Sequence, residues 1–241
     1  MEPQAKGLLG LGLILALGMV GASAVVSRTV YDVRALGDTF SVTGSAREHV
    51  TSDAVKWSSS FSRTTLASEL KSGYAQMKKD EVAVHAFLEG QGIPADTIVI
   101  SPVLMGDVYK QDPNAPREFS LRQQVEVRSK DVPKITSIAK DLSPIIAQGL
   151  IFSSDYVEYT YSKLPDLRVS LLEGAVKDAQ NRAEKIAGSA GKGIGPIRSA
   201  TMGVVQVLPV GSTEVTDYGT YDTQSIEKEV MVTVKAVFGV K

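Results

Sequence analysis

Residues Val55–Leu88 read VKWSSSFSRTTLASELKSGYAQMKKDEVAVHAFL, and the hydrophobic period changes inside that stretch. Up to Ser62, the apolar residues Val55, Trp57 and Phe61 alternate with Lys56, Ser58, Ser60 and Ser62. That two-residue repeat belongs to a strand with one buried face. From Leu66 the period lengthens: Leu70, Tyr74, Met77, Val84 and Leu88 fall on one helical stripe, interrupted by Glu81. Gly90 or Gly92 ends the helix.

Downstream, Ile98–Tyr109 predicts a strand, and Pro102 puts it at an edge or a bulge. Lys110–Glu118, with Pro113 and Pro116, predicts a hairpin loop, after which Phe119, Leu121, Val125 and Val127 alternate again. Asp131 caps a helix running to Gln148, with Pro133 in its tolerant first turn. Pro144 kinks or shortens that helix. Ile151–Tyr161 is a Tyr-rich strand. The order from Val55 is therefore strand–helix–strand–strand–helix–strand. This is the split βαβ, ferredoxin-like arrangement, in which two helices cover one face of an antiparallel sheet. The opposite face, with Ser58, Ser60 and Ser62, stays wet.

The flanks add further elements. Phe40, Val42, Gly44 and Ala46 share one face of a strand, and Ser41, Thr43, Ser45 and Arg47 share the other. A third helix spans Pro165–Ala190, with Leu171, Ala175, Ala179, Ala183 and Ala187 recurring every four residues. Such an alanine stripe lets a helix approach its neighbour closely. Ile197–Val210 and Ile226–Phe238 are two more strands, joined by the Ser/Thr/Tyr/Gly-rich loop Gly211–Ser225. In the last strand Val230, Val232, Val234, Ala236 and Phe238 point inward, while Glu229, Thr233 and Lys235 point outward. The expected class is α+β: an antiparallel or mixed sheet with a ferredoxin-like core, a third helix and two C-terminal strands.

Near the N-terminus, Gly7–Val26 reads GLLGLGLILALGMVGASAVV, without a charge. As a helix it would be about 30 Å long, enough to cross a hydrocarbon core. Ala22-Ser23-Ala24 offers a small-x-small site for signal peptidase, with Lys6 ahead of it. The length of the apolar core and its continuation through Val25-Val26 favour an uncleaved signal-anchor; cleavage after Ala24 is the alternative. The chain then divides into a short cytoplasmic N-terminus (1–6), a transmembrane signal-anchor (7–26), a linker (27–38) and one α/β domain (39–241). The N-inside, C-outside orientation follows for a single span so near the N-terminus.

Composition excludes several classes. With no cysteine there are no disulfides, thiolate metal sites or cysteine nucleophiles. Lys and Arg number 26 against 27 Asp and Glu, a net charge of −1, so no basic stripe marks a nucleic-acid partner. His49 and His85 are the two histidines. His49 lies near Ser52 and Asp53, but three triad residue types within one short turn lack the separate elements that a triad needs. His85 reads as a surface or boundary residue. Gly191-Lys192-Gly193-Ile194-Gly195 follows a helix and leads into Pro196, so it is a C-cap, not a phosphate loop. Asp107, Asp112, Asp155, Glu158, Asp217 and Asp222 have no metal-ligand spacing. No catalytic, cofactor-binding or metal-binding residue is expected, and no cofactor. Asp217, Tyr218, Tyr221 and Asp222 share the long loop, which reads either as a solvated hairpin tip or as an oligomer contact.

A V-x-G-x-A strand (Val42, Gly44, Ala46) opens the domain, an alanine-ladder helix ends in glycines, and a V-x-V-x-A-x-F strand (Val232, Val234, Ala236, Phe238) closes it. In that order, behind an export segment, the chain resembles the SIMPL-domain family over roughly Thr39–Val240. The resemblance implies a bacterial envelope protein with a mixed α/β domain, a link to stress defence, and large rings in some members. It carries no catalytic residues. Ser45-Ala46 and the loop Gly211–Ser225 depart from the family pattern. The expectation is a non-enzymatic homo-oligomeric module held in the bacterial inner membrane by a single pass, its domain in the periplasm or outside the cell. The alternative is a periplasmic binding module for a small ligand or envelope component.

Overall fold

The structure is a computed structural model that describes residues 3–35, 39–112, 114–212, 216 and 218–240. Its elements are α1 (Pro3–Ala35), β1 (Thr39–Thr51), β2 (Ala54–Leu66), α2 (Leu70–Gly90), β3 (Ile98–Ile100), β4 (Leu104–Asp107), β5 (Glu118–Ser129), α3 (Val132–Lys140), α4 (Ser143–Ile146), β6 (Ile151–Thr160), α5 (Leu164–Ser189), β7 (Ile194–Met202), β8 (Gln206–Pro209) and β9 (Glu227–Val240). The class is α+β, with two antiparallel sheets. Two compact units form: unit 1 comprises Met1–Ala46, Ser170–Val204 and Val232–Lys241, and unit 2 comprises Arg47–Val169 and Val205–Met231.

Unit 2 carries the sheet ordered β3-β5-β2-β6, with β4 also pairing β5. Val55, Trp57 and Phe61 of β2 and Leu121, Val125 and Val127 of β5 are buried. They pack with Met77, Val84 and Leu88 of α2 and with Ile135 and Ile138 of α3. Each such side chain, taken fully out of water, contributes roughly 1.5–3 kcal/mol. The inward stripe of α2 differs from the expected one by a small rotation. Gly73, Met77, Asp80, Val84 and Leu88 face in, whereas Tyr74 is exposed. Asp80 is tolerated inside because the Arg63 guanidinium binds it through two nitrogens. Gly92, at φ 74°, closes α2: its amide donates to Glu89 O, and the Ile93 amide to Leu88 O. Those two bonds define a Schellman cap.

Two expected continuous elements in unit 2 are broken. The strand foreseen over Ile98–Tyr109 is two short edge strands, because Pro102 cannot donate to the ladder and Ser101 Oγ accepts the Gln124 amide instead. The helix foreseen from Asp131 to Gln148 does start at an Asp131 cap, whose carboxylate accepts the Lys134 amide. It stops at Lys140. Asp141 then takes the Ser143 amide, and Pro144 opens α4.

In unit 1, β7 pairs β9 antiparallel, and β9 lies between β1 and β7. Ala175, Ala179 and Ala183 of α5 are fully buried against Val42, Val234, Ala236 and Phe238. The helix sits so close that a Cβ on Gly44 would lie 2.2 Å from Ala175 O and 2.3 Å from Ala179 N. Asp178 fastens the contact by accepting the Ser45 amide at 2.8 Å. That bond, together with the Arg182 guanidinium, holds its carboxyl below the ordinary value. The strand foreseen over Ile197–Val210 is likewise divided. Its break at Gly203 lies where a side chain would meet Thr233 Oγ1 at 2.2 Å.

α1 begins at Pro3 and continues through the foreseen linker as far as Ala35. Within it, side chains are described for Gly12 and for residues 15–30. Among the described residues no helix is long and apolar enough to cross a membrane.

Candidate functional site

The connection from β8 to β9 is where the sequence pointed. Its second half behaves as a strap within unit 2. The Val207 amide donates to Thr220 O at 2.7 Å, the Asp222 amide donates to Val207 O at 2.8 Å, and Tyr221 forms a parallel bridge with Val207. Further on, Thr223 O accepts the Tyr159 amide at 2.7 Å, capping the free edge of β6, and Ile226 O accepts the Ser52 amide. Gln206, 1% exposed, secures the other end: its side chain donates to Thr216 O and accepts from the Thr220 amide.

At the foot of the strap Lys228 is fully buried, its Nζ 2.7 Å from Asp222 O and 3.3 Å from Asp222 Oδ2. Burial pushes the ammonium below the ordinary lysine value, and the Asp222 charge restores only part of the loss. For Asp222, burial acts upward. The Gln224 amide, Ser225 and the Lys228 ammonium outweigh it and hold the carboxyl below its ordinary value. Asp222 is thus an internal fastening. Tyr221 is 44% exposed and Tyr218 is 97% exposed, so the tip at Tyr218 is open to solvent; Asp217 lies outside the described residues. Among its described residues the segment exposes Tyr218 and, from Thr220 to Ile226, forms a structural strap. Parity along β9 announces the buried lysine, because Lys228 shares its face with Val230, Val232 and Val234.

The helix-free face of the unit 2 sheet is polar. Arg122 Nη2 donates to Ser60 Oγ at 2.7 Å and to Asp155 Oδ2 at 3.0 Å, and Ser153 joins the cluster at 3.1 Å from Ser60. At one end of the sheet a groove of about 710 Å³ opens, lined by Ala54, Val55, Pro94, Thr97, Thr160 and a set of charges. Lys56 lies opposite both Arg128 on β5 and Glu158 on β6. Glu158 takes the Lys56 ammonium at 2.6 Å and raises its pKa, while Arg128 Nε donates to Glu126 at 2.7 Å. Lys130, also on the wall, is exposed and has no hydrogen bond or ion pair among the described residues. Sequence reading missed this group because Lys56, Arg128 and Lys130 meet only through strand register.

The triad residue types do not converge. His49 Nε2 lies 2.9 Å from Glu229, which also holds Arg47 at 3.0 Å. Asp53 accepts the Ser162 amide and hydroxyl, each at 2.7 Å, and Ser52 Oγ is buried without a partner among the described residues. His85 is a boundary residue 3.4 Å from Glu89. Gly191, at φ 69°, caps α5: its amide donates to Gly188 O, and the Lys192 amide to Ala187 O. The expected C-cap is therefore found. Of the scattered carboxylates, Asp107 pairs with Arg117 at 2.8 Å, and Asp112 accepts the Asn114 amide. Among the described residues no three His, Asp or Glu side chains gather as a metal set.

No curated protein matches the chain. The SIMPL family, described as "Protein of unknown function (DUF541)", matches residues 40–238, which include both units' strands and α2 to α5. The chain belongs to the SIMPL family.

Proposed function

We propose that this SIMPL-domain protein is tethered to the bacterial inner membrane by its N-terminal segment and serves outside the cytoplasm as a non-catalytic, homo-oligomeric structural or interaction module of the envelope. The observation that carries this reading is apolar surface the chain leaves uncovered. In α1, Leu15, Leu17, Met19, Val20, Val25 and Val26 are 59–73% exposed, on a run that extends in sequence from Gly7 to Val26. Side chains of that kind with no protein cover favour lipid. In unit 1, β7 is the last strand of its sheet, and Ile197 and Met202 are 46% and 54% exposed. They lie opposite Phe238 and Val234, on the face that α5 covers elsewhere. An uncovered edge with apolar side chains favours a second copy. The solvent-facing Tyr218 offers a further contact, and the half-exposed Tyr221 of the same loop another. A stress-related role rests on the family resemblance alone. The element order and the strand order β6-β2-β5-β3 support a ferredoxin-like core in unit 2.

Carbonate washing of membranes and the mass of the detergent-extracted particle test the proposal together. The expected result is a pellet-bound chain starting at or near Met1, in a particle several times the 25.7 kDa monomer. A soluble product starting at Val25 would refute the tether, and a monomer at high concentration would refute the association. A second reading, an extracytoplasmic binding module for a small ligand, is favoured by the groove beside Lys56, Arg128 and Lys130.

A further inference from the structure

We infer that the groove at the end of the unit 2 sheet binds a small amphipathic organic carboxylate, its charged head held by Lys130 and Arg128 and its apolar body laid on Ala54 and Pro94. The inference rests on the binding-module reading and is independent of tethering and self-association. Three observations carry it. The volume, about 710 Å³, lies within the range of small-molecule sites. The surface mixes the apolar groups of Ala54 and Pro94, above the buried Val55, with cations on the wall. Register brings the cations together, because Lys56 and Arg128 stand directly opposite each other on neighbouring strands.

Two carboxylate interactions, one from the lining Glu158 and one from Glu126 outside it, do not exhaust this positive charge. Glu158 engages Lys56, and Glu126 engages Arg128 through Nε only. The two η nitrogens of Arg128 keep their donors without a partner among the described residues. Lys130 is in the same position. A planar fork and a mobile ammonium on one wall suit a carboxylate, which accepts from both at once. The uncharged floor then discriminates against small hydrophilic anions, which gain nothing there. A ligand needs both halves, head and body.

Titration calorimetry on the full chain in nanodiscs of zwitterionic lipid tests this, with 4-phenylbutanoate as probe and 4-phenyl-1-butanol as its uncharged counterpart. Empty nanodiscs correct for partitioning. The expected result is saturable binding of the carboxylate, with the alcohol about ten-fold weaker for a loss near 1.4 kcal/mol. Lys130→Glu and Arg128→Gln should each weaken the carboxylate about five-fold or more and leave the alcohol unchanged. Lys130 is exposed and unpaired, so its variant keeps the fold, and an unchanged melting curve verifies that. Equal binding of acid and alcohol, insensitive to both substitutions, would overturn the charged half of the site. No saturable binding of either compound at millimolar concentration would overturn the inference while leaving the tethered, oligomeric reading standing.

Discussion

Replacing Gly44 with alanine tests the closest packing contact in unit 1. The added Cβ would stand 2.2 Å from Ala175 O and 2.3 Å from Ala179 N, where ordinary contact begins at 3.4 Å. Both obstacles are helix backbone, so no side chain can swing aside. α5 must retreat by about 1 Å, and a gap of that size forfeits a quarter to a half of each dispersion contact it opens. Ala175, Ala179 and Ala183 are all fully buried, so the loss falls on the whole seam. Overpacking of a tight core costs about 1–3 kcal/mol, and obstruction by backbone puts this case near 3. For a chain of this size that lowers the melting temperature by roughly 6–12 °C. Circular dichroism of the full chain in detergent reads the melt, and hydrogen exchange at the Ser45 amide reads the bond to Asp178 directly. Gly188→Ala is the control: it lies in the same helix with nothing within 4 Å of a new Cβ, so it should be neutral or stabilising by up to about 1 kcal/mol. A Gly44→Ala protein that melts within a degree of the parent, with Ser45 equally protected, would refute the packing described for α5.

Ala179→Leu should destabilise by about 1–3 kcal/mol for the same reason, read as a lowered melting temperature; an unchanged one would put the stripe in solvent. Asp222→Ala strands the buried Lys228 ammonium and should cost about 3–5 kcal/mol in urea unfolding, whereas Lys228→Met should cost much less. Asp53 and Asp222 both titrate below the ordinary 3.8 in the folded chain, so their stabilisation is complete above that pH and is lost as pH falls through the folded values. Unfolding free energies measured from pH 6 down to 3 should drop at the acid end, and Asp53→Asn should flatten that limb. Lys228 gives a slope of the same sign in a higher window: its lowered folded value makes stability rise with pH just below 10.5, a slope that Lys228→Met removes. Tyr218→Ser should leave the melting temperature alone and reduce the native mass; an unaltered mass would remove Tyr218 from the contact.

Much of the fold was legible because burial leaves a period. The inward faces of β2, β5 and β9 and the alanine seam of α5 all followed from spacing, as did the caps at Gly92, Asp131 and Gly191. The misreadings have physical causes. Pro102 and Gly203 interrupt strands whose apolar pattern runs on past them, and a pattern cannot show a missing donor or a close approach. Tyr74 lost its inward place to Gly73 because Thr65 Cγ2 and Leu121 crowd that position, which leaves no room for a ring. The strap escaped notice because Thr220, Thr223 and Ile226 act through backbone carbonyls, for which residue type carries little signal. Shortening Val215–Thr223 would accordingly remove partners of Gln206, Val207, Tyr159 and Lys228, and would unfold more than a tip. The groove escaped too: its cations belong to β2, β5 and the turn after β5, and only register brings them together.

The placement of β9 at the middle of the β1-β9-β7 sheet bears on the order in which the protein can be made. β1 is made long before Glu227–Val240 and β7 only shortly before it, yet neither pairs with the other. The first two pieces of unit 1 are separated by 123 residues of intervening chain and the last two by 27, so unit 1 must wait while the local β2–α2 pairing of unit 2 can already form. During that wait two strands stand without a partner and the alanine face of α5 has nothing to close on. Such half-built surfaces invite association between nascent chains. A holding chaperone would be needed most in that interval, and a ribosome stalled before residue 227 would release a chain whose unit 1 sheet cannot assemble.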